Sequence, residues 1–213
     1  MIPRILHIIW VGDESKRPDN CIATWCEHNP DWEVRVWGNQ DLAEFGWINA
    51  RHMRAMAGRE LNGVADLMRW EILYQQGGFV VDADSICRRP LAPWLFEGEA
   101  FACWENELAR PGLIAAGYVA SVPENPFFGQ LILDLQNTET VVDRMAWQSV
   151  GPQFLTEAHR RHNYTGLTIW PSHFFIPRHF TGLEYSGQGM VFADQEWAST
   201  RRTYDQLYKR KVA

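Results

Sequence analysis

The run from residue 62 to residue 84 constrains this chain more than any other stretch. Residues 62–76 place Val64, Met68 and Ile72 four apart, the apolar stripe of an amphipathic helix. Asn62 is an N-cap candidate. Gly77 is a natural stop, because the residue just past a helix end takes left-handed torsions cheaply only when it lacks a Cβ. Phe79, Val80 and Val81 then read as a short buried strand that delivers two acids, Asp82 and Asp84. If the chain stays extended there, both carboxylates project to one side. A helix feeding a buried strand belongs to an α/β fold, and ligands bind such folds beyond the C-terminal ends of the strands.

The flanking segments agree. Residues 5–11 form an apolar strand with His7 inside it as a satisfied core histidine; residues 18–28 are helical, ending at Asn29-Pro30; residues 32–37 alternate as a second strand. Strand, helix, strand is a βαβ unit. Further on, residues 100–122 read as strands broken by Gly112 and Gly117, and residues 126–136 and 152–161 read as helices. Residues 170–197 are aromatic and irregular, suited to a loop-rich wall over a site. With 213 residues and 46% hydrophobic content, the expectation is one domain over residues 1–213. The formal net charge of -6 argues against a duplex nucleic-acid binder, which carries a basic face. Cys21, Cys26, Cys87 and Cys103 make no C-x-x-C pair, and reduced thiols fit a cytoplasmic protein. No signal peptide or membrane span is read in the sequence.

The chemistry concentrates around the acid pair. Hard carboxylate oxygens suit Mg²⁺ or Mn²⁺, and such an ion in turn grips phosphate oxygens. Asp66 and Arg69 share a helix face one turn apart, where the plain alternative is an exposed salt bridge. His159 and His162 flank two arginines on a solvated helix face, whereas His173 and His179 lie in the aromatic wall, within reach of an acceptor.

Ala65-Asp66, Arg69, Leu73-Tyr74, Gly77-Gly78 and Asp82-Ala83-Asp84 together resemble the signature of glycosyltransferase family thirty-two, the DXD sugar-binding group that includes initiating mannosyltransferases and is related to glucosylating toxins. The opening residues 2–12, the tryptophans at 25, 32 and 37, Gly151-Pro152 and residues 171–177 extend the resemblance over nearly the whole chain. It implies a GT-A fold: a Rossmann-like α/β nucleotide-sugar-binding domain with a mixed central sheet. It also implies a metal-dependent, retaining hexosyltransferase that moves a sugar from a nucleoside diphosphate donor to a glycan or lipid-linked acceptor in surface polysaccharide assembly. Carried over by position, Trp10 stacks on the base, Asp66 and Arg69 hold ribose and sugar hydroxyls, and Gly78 lies on the donor. Asp82 touches the donor and the metal shell, and Asp84 ligates Mn²⁺ or Mg²⁺; Asp82 and Asp84 are the catalytic pair.

One departure stands out. Gln195 and Glu196 occupy the place of the family's late histidines, and Glu196 (or Asp194) is then the expected further oxygen ligand. Two rival readings follow: a non-catalytic nucleotide-sugar or glycan binder with a degenerate metal site, and a metal-dependent phosphohydrolase using the same acids. The basic residues Arg201, Arg202, Lys209, Arg210 and Lys211 offer peripheral contact with an anionic membrane, where a lipid-linked acceptor is found.

Overall fold

A computed structural model describes residues 1–212. In chain order the elements are β1 (Ile5–Ile9), α1 (Asp19–His28), β2 (Glu33–Trp37), α2 (Asn39–Glu44), α3 (Ala50–Ala57), α4 (Leu61–Gln76), β3 (Gly78–Val81), β4 (Ser85–Cys87), β5 (Ala100–Asn106), β6 (Arg110–Ile114), β7 (Tyr118–Ser121), α5 (Pro126–Gln136), α6 (Ala146–Ser149), α7 (Pro152–His162), β8 (Leu167–Trp170), β9 (Ala193–Gln195), α8 (Ala198–Arg201) and α9 (Tyr204–Leu207).

The main sheet is mixed and runs β2-β1-β3-β7-β5-β6, with β8 also pairing β5. The pairs β2–β1 and β1–β3 are parallel; β3–β7, β7–β5 and β5–β6 are antiparallel. Strand alternation sorts the core into two layers. Val80, Ala100, Ala102 and Val119 pack with residues of α4, α5 and α7, such as Met68, Leu131 and Leu155. Phe79, Val81, Phe101 and Tyr118 face the other way, against Ile22 and Trp25 of α1 and the aromatics Phe175 and Phe192. The aromatic stretch after β8 is therefore core on one side, not only a wall.

Helix α4 is buried over most of its length, and Val64, Met68 and Ile72 are 0% exposed. Its start corrects the expectation at Asn62. The turn leaving α3 arrives extended at Glu60, which occupies the N-cap position, and Asn62 lies exposed in the first helical turn. Gly77 ends the helix with φ +65, and a Cβ there would come within 2.7 Å of Pro123 and the Ser121 carbonyl. The ends of α5 and α7 follow local chemistry. Asn125 caps Phe127 N–H through its side chain ahead of Pro126, and Pro152 sits at the first turn of α7.

Buried polar groups are tied down. His7, 0% exposed, donates from Nε2 to the Gly77 carbonyl (2.9 Å) and accepts from the Trp37 indole at Nδ1 (3.1 Å). Burial pushes its pKa down to about 4. Glu71 accepts the backbone N–H groups of Ile48 (2.7 Å) and Asn49 (2.8 Å), which anchors the 47–49 loop to α4.

Candidate functional site

The parallel strands β1 and β3 end side by side, and there a cavity of about 1040 Å³ opens, within reach of Trp10 after β1 and Asp82 after β3. The rest of the sheet alternates in direction and contributes ends to match: Ala116 and Gly117 before β7, Glu105 near the end of β5 and Arg110 at the start of β6. Cavity and strand ends coincide as expected for an α/β sheet.

At its centre lies a polar cluster. Arg69 on α4 donates from Nη2 to Asp82 Oδ1 (2.6 Å), pairs with Asp66 (3.2 Å) and donates from Nη1 to the Ala116 carbonyl. The Asp66–Arg69 pair is thus a buried structural element and not an exposed helix-surface bridge. Asp66 is 8% and Arg69 4% exposed, and Arg69 Nε is a buried donor with no partner among the described residues. Gly117 lets Asp82 approach: Asp82 N–H donates to the Gly117 carbonyl (3.0 Å), and a Cβ at 117 would stand 2.5 Å from Asp82 Oδ2.

The acids do not continue an extended strand. Ser85 N–H donates back to the Asp82 carbonyl (3.1 Å), so residues 82–85 form a turn. The carboxylates nevertheless converge, because β9 pairs antiparallel with β4 and sets Gln195 opposite Ser85. Gln195 Nε2 donates to Asp82 Oδ2 (3.1 Å) and to Asp84 Oδ1 (3.0 Å), while Gln195 Oε1 accepts from the Tyr118 hydroxyl (2.8 Å). Asp84 Oδ2 accepts Ala198 N–H (2.7 Å). Burial, reinforced by the neighbouring Asp82 charge, raises the Asp84 pKa. Burial also raises that of Asp66, against the pull of Arg69. Two carboxyls, Asp66 and Asp82, thus share one guanidinium, and Asp84 joins them through Gln195, so the cluster is short of positive charge.

That donor set fits a divalent cation. Two hard carboxylate oxygens meet at one point, now held by a neutral amide N–H₂. No group of three His, Cys, Asp or Glu side chains among the described residues forms a full cage, so an ion here would take its remaining ligands from phosphate and water.

Two expected site residues lie elsewhere. Alternation around β9 sends Gln195 toward the acids and its neighbours away. Asp194 pairs with Arg88 (2.7 Å) and Arg178 (3.3 Å), and Glu196 pairs with Arg210 (3.1 Å). Glu196 pairs with Arg210 and does not line the cavity, although its charge also raises the Asp84 pKa. Gly78 also lies off the cavity. It is buried in β3 with φ +91, where a Cβ would come 2.6 Å from the Ile5 carbonyl and 2.9 Å from His7 Nε2, so its task is strand packing. Of the wall histidines, His173 stacks on Tyr185 (4.0 Å) and His179 is buried against Glu105 (3.2 Å). His159 and His162 are partly buried, packing on Phe127 and bonding to Asp134 (2.7 Å) respectively, and not freely solvated.

Sequence reasoning missed the C-terminal rim. Ser199, Thr200, Arg202, Tyr204 and Asp205 line the cavity mouth. Tyr204 meets the Trp10 ring edge-on (5.0 Å), and Asp205 pairs with Lys16 (2.6 Å) across the opening. The basic tail is partly held down: Asn20 donates to the carbonyls of Leu207 and Arg210. No local pattern of residues pairs Trp10 with Tyr204, which lie 194 positions apart in the chain.

Residues 15–101 match the family described as glycosyltransferase sugar-binding region containing DXD motif. The chain is 26% identical over 142 residues to inositol phosphoceramide mannosyltransferase 3 of Schizosaccharomyces pombe, which covers 63% of this chain and 37% of that protein. It spans about two fifths of the length of the curated mannosyltransferases it matches. Its fold is similar to PaToxG glycosyltransferase (TM-score 0.59, 16% identity, 76% of this chain and 70% of that one). It is also similar to the UDP-bound glycosyltransferase domain of the YGT toxin (TM-score 0.56, 9% identity, 79% of each chain). No helix among the described residues is long and apolar enough to cross a membrane. The mixed sheet, the acid pair beyond β3 and these likenesses agree with the resemblance read from the sequence: residues 15–101 match the DXD sugar-binding region of glycosyltransferases, on a fold similar to glycosyltransferase domains of the GT-A type.

Proposed function

We propose that residues 1–213 act as one catalytic domain, a metal-dependent retaining glycosyltransferase that moves a hexose from a nucleoside diphosphate sugar to a glycan or lipid-linked acceptor. The observation that carries this is the convergence of Asp82 and Asp84 on one point, beside Arg69, in a cavity at the ends of β1 and β3. The relatives support the class: one is a mannosyltransferase, and one similar fold is a UDP-bound glycosyltransferase domain. Surface polysaccharide assembly, at the cytoplasmic face of a membrane with the basic tail against its lipids, is the setting that suits a lipid-linked acceptor.

In this reading Trp10 stacks on the base at the β1 end, and Asp66 and Arg69 hold ribose and sugar hydroxyls. Asp82 and Asp84 hold a Mn²⁺ or Mg²⁺ ion, which offsets charge on a departing diphosphate. Turned by half a rotation, the Gln195 amide would present its oxygen to that ion and its N–H₂ to the Tyr118 hydroxyl, a swap both partners can satisfy. Arg69, locked by Asp66, Asp82 and the Ala116 carbonyl, keeps the Asp82 carboxylate oriented. Two further buried cavity carboxyls are already engaged, Asp66 with Arg69 and Glu105 with His179, which favours same-face attack by the acceptor over a covalent intermediate.

One observation favours a second reading. Gln195 satisfies both acids without a cation, as a degenerate, non-catalytic nucleotide-sugar binder would. A thermal-shift screen against nucleoside diphosphate sugars, with and without Mn²⁺, separates the two when paired with an assay for released nucleoside diphosphate. A metal-dependent shift with turnover, both lost in Asp84→Asn, is expected. A metal-independent shift without turnover would establish the binder.

A further inference from the structure

The end of the cavity remote from Trp10 has a different chemistry, which the proposed donor site leaves unused. In the sheet order, β1 carries Trp10 to one side of Asp82, while β7, β5 and β6 follow on the other. Arg110, opening β6, stands three strand positions from β3, on the order of 14 Å along the sheet. Its guanidinium carbon lies 5.0 Å from the Trp147 ring centre and 5.4 Å from that of Phe180. Behind it, Arg110 Nε faces Glu105 Oε1 (3.4 Å), and Glu105, 5% exposed, is itself held by His179 (3.2 Å). All four of Glu105, Arg110, Trp147 and Phe180 line the cavity.

We propose that this end is an acceptor subsite for an oxyanion, a phosphate or carboxylate carried by the sugar that receives the transferred hexose, and that Arg110 recognises it. The inference rests on the reading of the cavity as a transferase site. Glu105 engages only the Nε edge of Arg110, and among the described residues no acceptor is hydrogen-bonded to its two terminal nitrogens. Those nitrogens form the fork that matches a carboxylate or phosphate. The aromatic neighbours fix the plane of the guanidinium, so less freedom is lost when an anion docks. They also offer flat apolar faces for the C–H surface of the same sugar. Three carboxyls crowd the centre of the cavity, which disfavours an anionic ligand near Asp82 when no cation accompanies it; of the outlying cations Lys16, Arg59, Arg110 and Arg202 that line the cavity, Arg110 is the one stacked on aromatic rings.

The test is calorimetric binding of three probes to the whole chain: glucose 6-phosphate, glucuronate and methyl glucoside. At least one anion is expected to bind tenfold or more tightly than the neutral glucoside, weakening with salt, and the better of the two identifies phosphate or carboxylate as the group. Arg110→Gln should bring the preference close to one, while Arg110→Lys, charged but unable to stack as a plane, should keep part of it. Trp147→Ala, leaving the charge in place, should also reduce it. Equal affinities for all three probes, no binding of either anion at millimolar concentration, or a preference that survives in Arg110→Gln would each overturn the proposal. Binding requires no turnover, so the two failures are distinguishable: donor turnover without anion preference defeats this inference alone, and anion preference without donor turnover defeats the transferase reading, leaving an oxyanion site at Arg110 that is not an acceptor subsite.

Discussion

The floor and the rim of the cavity are built differently. The floor, α4 into β3, is a continuous 21-residue stretch whose side chains are mostly buried in two packed layers. The rim, β9 with α8 and α9, consists of elements of three and four residues joined through the left-handed residues Trp197 and Arg202, and single polar contacts and small apolar patches fasten it to the body. Packing gives the floor its rigidity, whereas individual hydrogen bonds and ion pairs set the rim. The acids that need fixed geometry belong to the floor, and Gln195, the group that would have to yield to an ion, comes from the rim.

The largest effect expected is on the floor. Met68→Ala removes a side chain with no exposure from the face of α4 that packs under β3, and should cost ~2–5 kcal/mol in a urea titration. A cost below 1 kcal/mol would mean that this layer is not tightly packed and would erase the contrast.

Next comes the pH dependence of the floor through His7. Its folded pKa of about 4 lies below the ordinary 6.5, so the folded state favours the neutral ring. Above pH 6.5 this preference has no effect on the pH slope. Between 6.5 and about 4 the unfolded chain binds a proton that the folded chain refuses, and stability falls as pH falls. Below about 4 the loss is complete, at about 3 kcal/mol. His7→Gln should lack this component, so urea midpoints of the two proteins at pH 7, 5.5 and 4 should draw together as the pH drops. Parallel curves would place His7 in contact with solvent.

Rim substitutions should spare the fold and act on ligands. Trp10→Ala should weaken nucleotide binding by ~1–3 kcal/mol if the indole stacks on a base. Unchanged affinity would leave Trp10 as a packing partner of Tyr204. Smallest of all, Lys16→Ala breaks the exposed pair with Asp205 and should leave the melting temperature unmoved, since exposed pairs add little net stability. A clear drop would show that the rim is clamped more firmly than its short elements suggest.

What was legible in the sequence follows the same division. Helix α4, its stop at Gly77, the buried strand β3 and the helices that open at Pro126 and Pro152 all arise from neighbours a few residues apart, whose periodicity and turn chemistry can be read directly. The N-cap at Asn62 failed because the turn from α3, not the local sequence, decides where α4 begins. The extended path through Asp82 and Asp84 failed because the chain turns there to form β4. Whether residue 195 or 196 faces the acids was not legible, because strand alternation in β9 depends on its register with β4, and a one-residue difference exchanges a cavity contact for an ion pair with Arg210.

The sequence by itself determined the α/β class, the helix–strand unit that presents the acids, and the pairing of Asp66 with Arg69 one turn apart, because each depends on spacing along a single element. Only the tertiary structure decided that Gln195 reaches Asp82 across 113 residues, that Gly78 packs a strand, and that Arg110 stands between Trp147, Phe180 and Glu105. Those contacts join elements far apart in the chain, and their geometry is set by strand register and layer packing, which no local pattern of residues encodes.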